Sequence, residues 1–221
     1  LIGCEKQTNQ ISCDELLEQA YEESPLNNFE KNKFKDLFLN RYPEFDLMFE
    51  EAAQETGIEK NLLAAISFQE SQWDPRAQSN MGVRGMMMVT LETAALVGVE
   101  KRLNPEQNIK GGAKYFAMLK EKNIVGQTDA DQLSTVLASY NLGPTNIIKI
   151  ANQIDSDIQT VTWLEIREKL KVIKGSELDL VDRESYSRGQ QAIDYVDRVK
   201  SYYQLLSAHS CIAPKDQLIF F

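Results

Sequence analysis

Glu59-Lys60-Asn61-Leu62-Leu63-Ala64-Ala65-Ile66-Ser67-Phe68-Gln69-Glu70-Ser71, closed by Gln72-Trp73-Asp74-Pro75, is the stretch on which the reading of the chain turns. Leu63 and Ile66 recur at helical spacing, and Asp74-Pro75 stops the helix because the proline ring disfavours helical geometry before it. The spacing predicts a helix over Glu59 to Ser71, and the next position on its apolar stripe is Glu70. A carboxyl group is thereby placed core-facing at a helix C-terminus. Burial disfavours the charged form and the helix end presents partial negative charge, so both effects raise the pKa of Glu70. A carboxylic acid kept protonated near neutral pH is what a general acid requires. The plainer alternative is a glutamate that ends a helix with its head in solvent.

Outward from that helix, helical periodicity recurs from end to end, while alternating runs bounded by hairpin turns are scarce. The class expected is mainly α. Ser12-Cys13-Asp14-Glu15 reads as a capping box opening a helix that stops before Pro25, and Phe29 to Leu39 reads as a second, ended by Pro43. Further helices are expected at about Pro43 to Glu55, Leu91 to Val97, Pro105 to Lys122, Asp129 to Asn141, Pro144 to Ile154, Trp163 to Ile173 and Tyr186 to Ser207. Asp182 to Arg188 reads as a polar loop, and the first 40 or so residues, richer in charge and Asn, read as an appendage.

The 33 acidic and 24 basic residues give a formal net charge of −9, with no block of clustered Lys or Arg, so no nucleic-acid partner is expected. The longest apolar runs fall far short of the roughly 20 residues that cross a bilayer. The single histidine, His209, excludes a zinc hydrolase of the His-Glu-x-x-His type, and a Ser/His/Asp triad would have to recruit it from the C-terminal end. Cys4, Cys13 and Cys211 lack metal-ligand spacing; no metal and no cofactor are expected. Leu1-Ile2-Gly3-Cys4 resembles the lipobox of bacterial lipoproteins, which implies lipidation at Cys4 and membrane attachment only through that anchor. Glu5 is not the Asp linked with inner-membrane retention, so the expectation is an outer-membrane lipoprotein facing the periplasm. Cys13 and Cys211 are then left either to pair in an oxidising periplasm or, with Cys4, to stand as unpaired thiols.

After the helix stop, Gly82 and Gly85 permit tight turns that fold the chain back over the carboxyl, and Met86-Met87-Met88 follows as either a soft floor for sugar rings or gap-filling core. Gln69 to Pro75, Ser79, Gly82-Val83-Arg84-Gly85-Met86-Met87-Met88, Asn108-Ile109-Lys110-Gly111-Gly112-Ala113-Lys114-Tyr115, Ser139-Tyr140-Asn141-Leu142-Gly143 and Tyr195-Val196 stand in one order along the chain. In order and spacing these blocks resemble the lytic transglycosylase domain, nearest to the membrane-bound lytic murein transglycosylase F branch. The resemblance covers roughly Phe45 to Tyr203 and implies a goose-lysozyme-like helical fold. It divides the chain into an N-terminal extension over 1–44, a catalytic domain over 45–209 and a tail over 210–221.

The same resemblance implies Glu70 as the single catalytic acid, with Ser79, Met88, Tyr140, Asn141 and Tyr195 lining the sugar groove or standing beside it. Met88 departs from the glutamine common in the wider family, and Gln191 stands where many relatives carry a glutamate. The implied substrate is the glycan strand of peptidoglycan. The implied reaction cuts the MurNAc–GlcNAc bond and leaves a 1,6-anhydroMurNAc end, with no water consumed. Two other readings stand beside it: a goose-type hydrolase on the same fold, and a non-catalytic peptidoglycan-binding module.

Overall fold

The structure is a computed structural model that describes residues 12–80, 82–172 and 185–211; Cys4, the lipobox-like stretch and the tail beyond Cys211 lie outside them. The helices are α1 (Cys13–Glu23), α2 (Asn28–Asn40), α3 (Asp46–Thr56), α4 (Lys60–Ser71), α5 (Leu91–Val97), α6 (Pro105–Lys122), α7 (Asp129–Leu142), α8 (Pro144–Ile154), α9 (Trp163–Val172) and α10 (Ser185–His209). Among the described residues the only extended pairing is a pair of isolated bridges, Gln78 with Arg84 and Arg84 with Val89. The class is mainly α, as the periodicity indicates.

Local chemistry accounts for most boundaries. Ser12 and Asn27 open α1 and α2 with reciprocal capping boxes to Glu15 and Glu30. Pro105 and Pro144 occupy first-turn positions of α6 and α8, where the missing N–H costs nothing. Three readings need correction. The helix expected from Pro43 is a 3-10 turn over Tyr42–Glu44 followed by α3, because the N–H of Phe45 turns back to the Tyr42 carbonyl before the α pattern begins. The apolar stripe expected on α4 is no stripe, since every residue from Asn61 through Phe68 is buried. Ser185 through Arg188 belong to α10, in keeping with the helix expected from about Tyr186 and against the polar loop read over Asp182 to Arg188, since polar side chains alone do not break a helix when no proline intervenes.

The central pairing is α4 against α10, with α7 and α9 also packed on α10 and α3 packed on α6. Within the first 40 residues, read as an appendage, α2 packs into this core. Phe34 of α2 is fully buried and lies 5.0 Å from the Phe68 ring, 5.7 Å from Trp73 and 5.5 Å from Tyr202. By contrast α1 has no fully buried residue. It is held by the Cys13–Cys211 disulfide and by the Tyr21 hydroxyl paired with His209 Nε2 at 2.9 Å. His209 also stacks on Phe38 at 4.1 Å. The lone imidazole therefore belongs to an aromatic cluster and not to a Ser/His/Asp array.

Candidate active site

Glu70 stands one residue before the end of α4, where the chain reverses sharply: Gln72 and Trp73 both take positive φ, 55° and 59°. Two side chains hold that reversal. Trp73 Nε1 donates to the Ala64 carbonyl at 2.9 Å from within the core, and Arg41 donates to the Gln72 carbonyl at 2.9 Å. The helix end is thereby fixed, and with it the Cα from which the Glu70 side chain extends.

Around that carboxyl the dominant effect is desolvation, which pushes the Glu70 pKa up to about 7, while the Tyr195 hydroxyl pulls it back down. Tyr195, from α10, is buried, and its hydroxyl meets no partner at full hydrogen-bond geometry. The phenol thus sits beside the acid as a loose donor, close enough to favour the carboxylate but not locked to it. Tyr140, from α7, also feels the Glu70 charge, and both phenols are held well above their ordinary range by burial. Glu70 itself keeps part of its surface accessible. Among the described residues, no second carboxylate shifts Glu70.

On either side of residue 81, the segments Asp74 to Asn80 and Gly82 to Thr90 form a wall segment packed on α4. Its backbone closes on itself through Ser79 N–H to Val83 O at 3.1 Å, Gly85 N–H to Ala77 O at 2.9 Å, and paired bonds between Arg84 and Val89 at 3.3 and 3.0 Å. Gly85, at φ +84°, lies so near the Arg102 carbonyl that an added Cβ would come within 2.3 Å of it. The Ser67 and Ser71 hydroxyls both donate to the Met86 carbonyl, at 3.0 and 2.7 Å, tying this wall to α4. Asn108 of α6 is fully buried and accepts from Met87 N–H at 2.7 Å while donating to the Arg84 and Arg102 carbonyls at 2.9 and 2.7 Å. The Tyr140 hydroxyl donates to the Met87 carbonyl at 2.9 Å.

Of the residues singled out from sequence, the structure brings Tyr140 and Tyr195 to Glu70. Ser79 and Met88 lie on the wall segment and Asn141 follows Tyr140 on α7, all three partly exposed. Met88 takes a positive φ of 48°, whereas Met86 and Met87 are fully buried, so the methionine run divides into two core residues and one nearer the surface. The sequence reading assigned no role to Ser67, Ser71 or Asn108. The signal was there for the serines, which lie three residues before Glu70 and one after it. No group of three or more His, Cys, Asp or Glu among the described residues is arranged to hold a metal ion.

A carboxyl group titrating near neutrality is able to give a proton and take one back within a single cycle. The family described as "Transglycosylase SLT domain" matches residues 47–160. A protein named membrane-bound lytic murein transglycosylase F 1, from Alkalilimnicola ehrlichii, is 41% identical over 170 residues, covering 76% of this chain and 34% of that protein. Membrane-bound lytic murein transglycosylase F of Hahella chejuensis is 36% identical over 172 residues, covering 76% of this chain and 33% of that one. The chain spans about a third of the length of these curated relatives. Among solved structures, lytic transglycosylase Slt of Pseudomonas aeruginosa matches with a TM-score of 0.55 at 18% identity, over 91% of this chain and 31% of that chain. At that identity the likeness shows the fold, a lysozyme-like helical one.

Proposed function

The chain belongs to the transglycosylase SLT domain family, and from that premise we propose that it is a peptidoglycan lytic transglycosylase with Glu70 as its single general acid and base. The observation that carries the reading is the Glu70 carboxyl, raised to about 7 by burial and attended by the Tyr195 hydroxyl. In the first step the protonated carboxyl gives its proton to the oxygen between MurNAc and GlcNAc, and the C1–O bond breaks. The 2-acetamido group of MurNAc stabilises the developing oxocarbenium ion, which is the task a second carboxylate performs in most glycosidases. In the second step the MurNAc 6-hydroxyl attacks C1 and the Glu70 carboxylate takes the hydroxyl proton. A 1,6-anhydro end forms, the acid is regenerated, and no water is used. The internal nucleophile is already tethered near the reacting carbon, which avoids the entropy cost of recruiting another molecule. Tyr195 favours the carboxylate that exists between the steps, and Ser79, Met88 and Asn141 are assigned to the sugar groove.

Envelope attachment through a lipid on Cys4, on the outer membrane, belongs to the same reading; its support is the lipobox-like Leu1-Ile2-Gly3-Cys4 and the relatives named membrane-bound. Mass spectrometry of the native protein tests it, an unmodified Cys4 being the adverse result. The reaction is tested by digesting purified peptidoglycan with the wild type and with Glu70→Gln, then weighing the released fragments. Anhydro ends from the wild type alone are expected. Reducing ends would make the protein a hydrolase, and release by Glu70→Gln would remove the residue from its role.

A further inference from the structure

Met87 is gripped from both sides of its backbone. Its N–H is accepted by Asn108 Oδ1 at 2.7 Å and its carbonyl takes the Tyr140 hydroxyl at 2.9 Å. The Asn108 amide has one workable orientation, because its NH2 faces the Arg84 and Arg102 carbonyls at 2.9 and 2.7 Å and a flipped amide would set oxygen against both. A Cβ on Gly112 would stand 2.5 Å from the Met87 side chain, so α6 also closes the space behind this residue. Residue 87 is therefore fixed by α6 before Tyr140 reaches it.

A phenol has one proton to donate, and Tyr140 gives its proton to Met87. We propose that Asn108 is a positioning residue for the reaction: by fixing the Met87 peptide it keeps the Tyr140 hydroxyl engaged on the Met87 carbonyl, so that Tyr195 alone can donate to Glu70. The inference rests on the assignment of Glu70 as the acid. Its physical content is a limit on hydrogen bonding. A second donor on the carboxyl would favour the ionised form and weaken the acid needed for the first step.

The titratable groups that face Glu70 among the described residues are Tyr195 from α10 and Tyr140 from α7, with Tyr115 of α6 acting on Tyr140 from behind. The charged groups of the wall, Asp74, Arg76 and Arg84, are not among those that shift Glu70. The balance between the two phenols is thus the variable that Asn108 controls.

The test follows the Glu70 carboxyl directly, by carbon NMR of side-chain-labelled protein across pH, alongside the pH–rate profile on peptidoglycan. In Asn108→Ala the midpoint of Glu70 is expected to fall by about one pH unit as the freed phenol turns to the carboxylate. The double variant Asn108→Ala/Tyr140→Phe should return it towards the wild-type value, which a merely structural loss would not do. An unmoved midpoint in folded Asn108→Ala, or no return in the double variant, overturns the proposal. If Asn108→Ala does not fold, Tyr140→Phe decides: its Glu70 midpoint should stay near the wild-type value while that of Tyr195→Phe rises. An equal rise in both would show that Tyr140 already donates to Glu70. Because NMR reads Glu70 without turnover, a protein that cuts no glycan sinks the proposed reaction while leaving this titration to be judged separately.

Discussion

The buried Tyr195 hydroxyl stands beside the Glu70 carboxyl and favours its ionised form without reaching a fully formed hydrogen bond. The phenol opposes the effect of burial, and Tyr195→Phe removes that opposition. The Glu70 pKa then rises, so the protonated acid persists to higher pH. The alkaline limb of the pH–rate profile is expected to move upward by about half to one unit, with kcat lowered. Thermal stability should hold or rise slightly, since the buried hydroxyl lacks a full partner. A downward move of the limb would contradict the arrangement.

Glu70 also ties stability to pH. An ordinary glutamate titrates at 4.5, whereas burial places Glu70 at about 7 in the folded protein. Between those values the folded state holds a proton that the unfolded chain has lost, so stability falls as pH rises through the window. Glu70→Gln keeps a neutral group at every pH. It should match the wild type at pH 4 and exceed it at pH 8 by up to about 3 kcal/mol, or roughly 6–12 °C in Tm. Paired thermal melts at the two pH values check this, and equal melting temperatures at pH 8 would rule out a carboxyl destabilised by burial.

Most of the helices were legible in the sequence because caps and breakers act locally: Ser12 with Glu15 opens α1, Pro25 and Pro43 follow α1 and α2, and Pro105 and Pro144 begin α6 and α8 without tertiary help. The raised pKa of Glu70 was also legible, although the stripe that pointed to it dissolves into a helix whose residues Asn61 through Phe68 are all buried. What stayed hidden were contacts between segments distant in sequence. Nothing local to Asn108 says that its amide meets residues 84, 87 and 102, and nothing near Phe34 says that it enters a core with Phe68, Trp73 and Tyr202. The polar-loop reading that overlapped the start of α10 failed for a different reason: a run of polar residues carries no apolar period, yet helix propensity does not require one.

The Cys13–Cys211 disulfide closes a span of 198 residues, for which chain entropy alone gives about 5 kcal/mol. Since α1 has no fully buried residue, reduction allows it to detach while the rest stays folded, and the observed loss should fall below that figure. None of the groups that shift Glu70 comes from α1. Reduced protein, or Cys13→Ser, is therefore expected to melt earlier, to be cleaved within α1 by limited proteolysis, and to keep its activity below the new Tm. Loss of activity in parallel with α1 would show that the extension supports the site.

The Met86 carbonyl accepts from two hydroxyls on the helix that carries Glu70, Ser67 at 3.0 Å and Ser71 at 2.7 Å. A carbonyl oxygen has two lone pairs, so either serine alone leaves it satisfied, whereas losing both leaves a buried acceptor without a partner. Ser71 also lies 3.1 Å from the Ser67 carbonyl, but its single proton is better placed on the shorter contact to Met86. Ser67→Ala and Ser71→Ala are each expected to cost about 1 kcal/mol, and the double variant about 1 kcal/mol more than their sum. Because the same bonds join the wall segment to α4, the double variant should also lose more kcat than the two single variants together. Denaturant melts and kinetics of all three proteins measure both effects; strict additivity in each would mean that the two hydroxyls do not share the Met86 carbonyl.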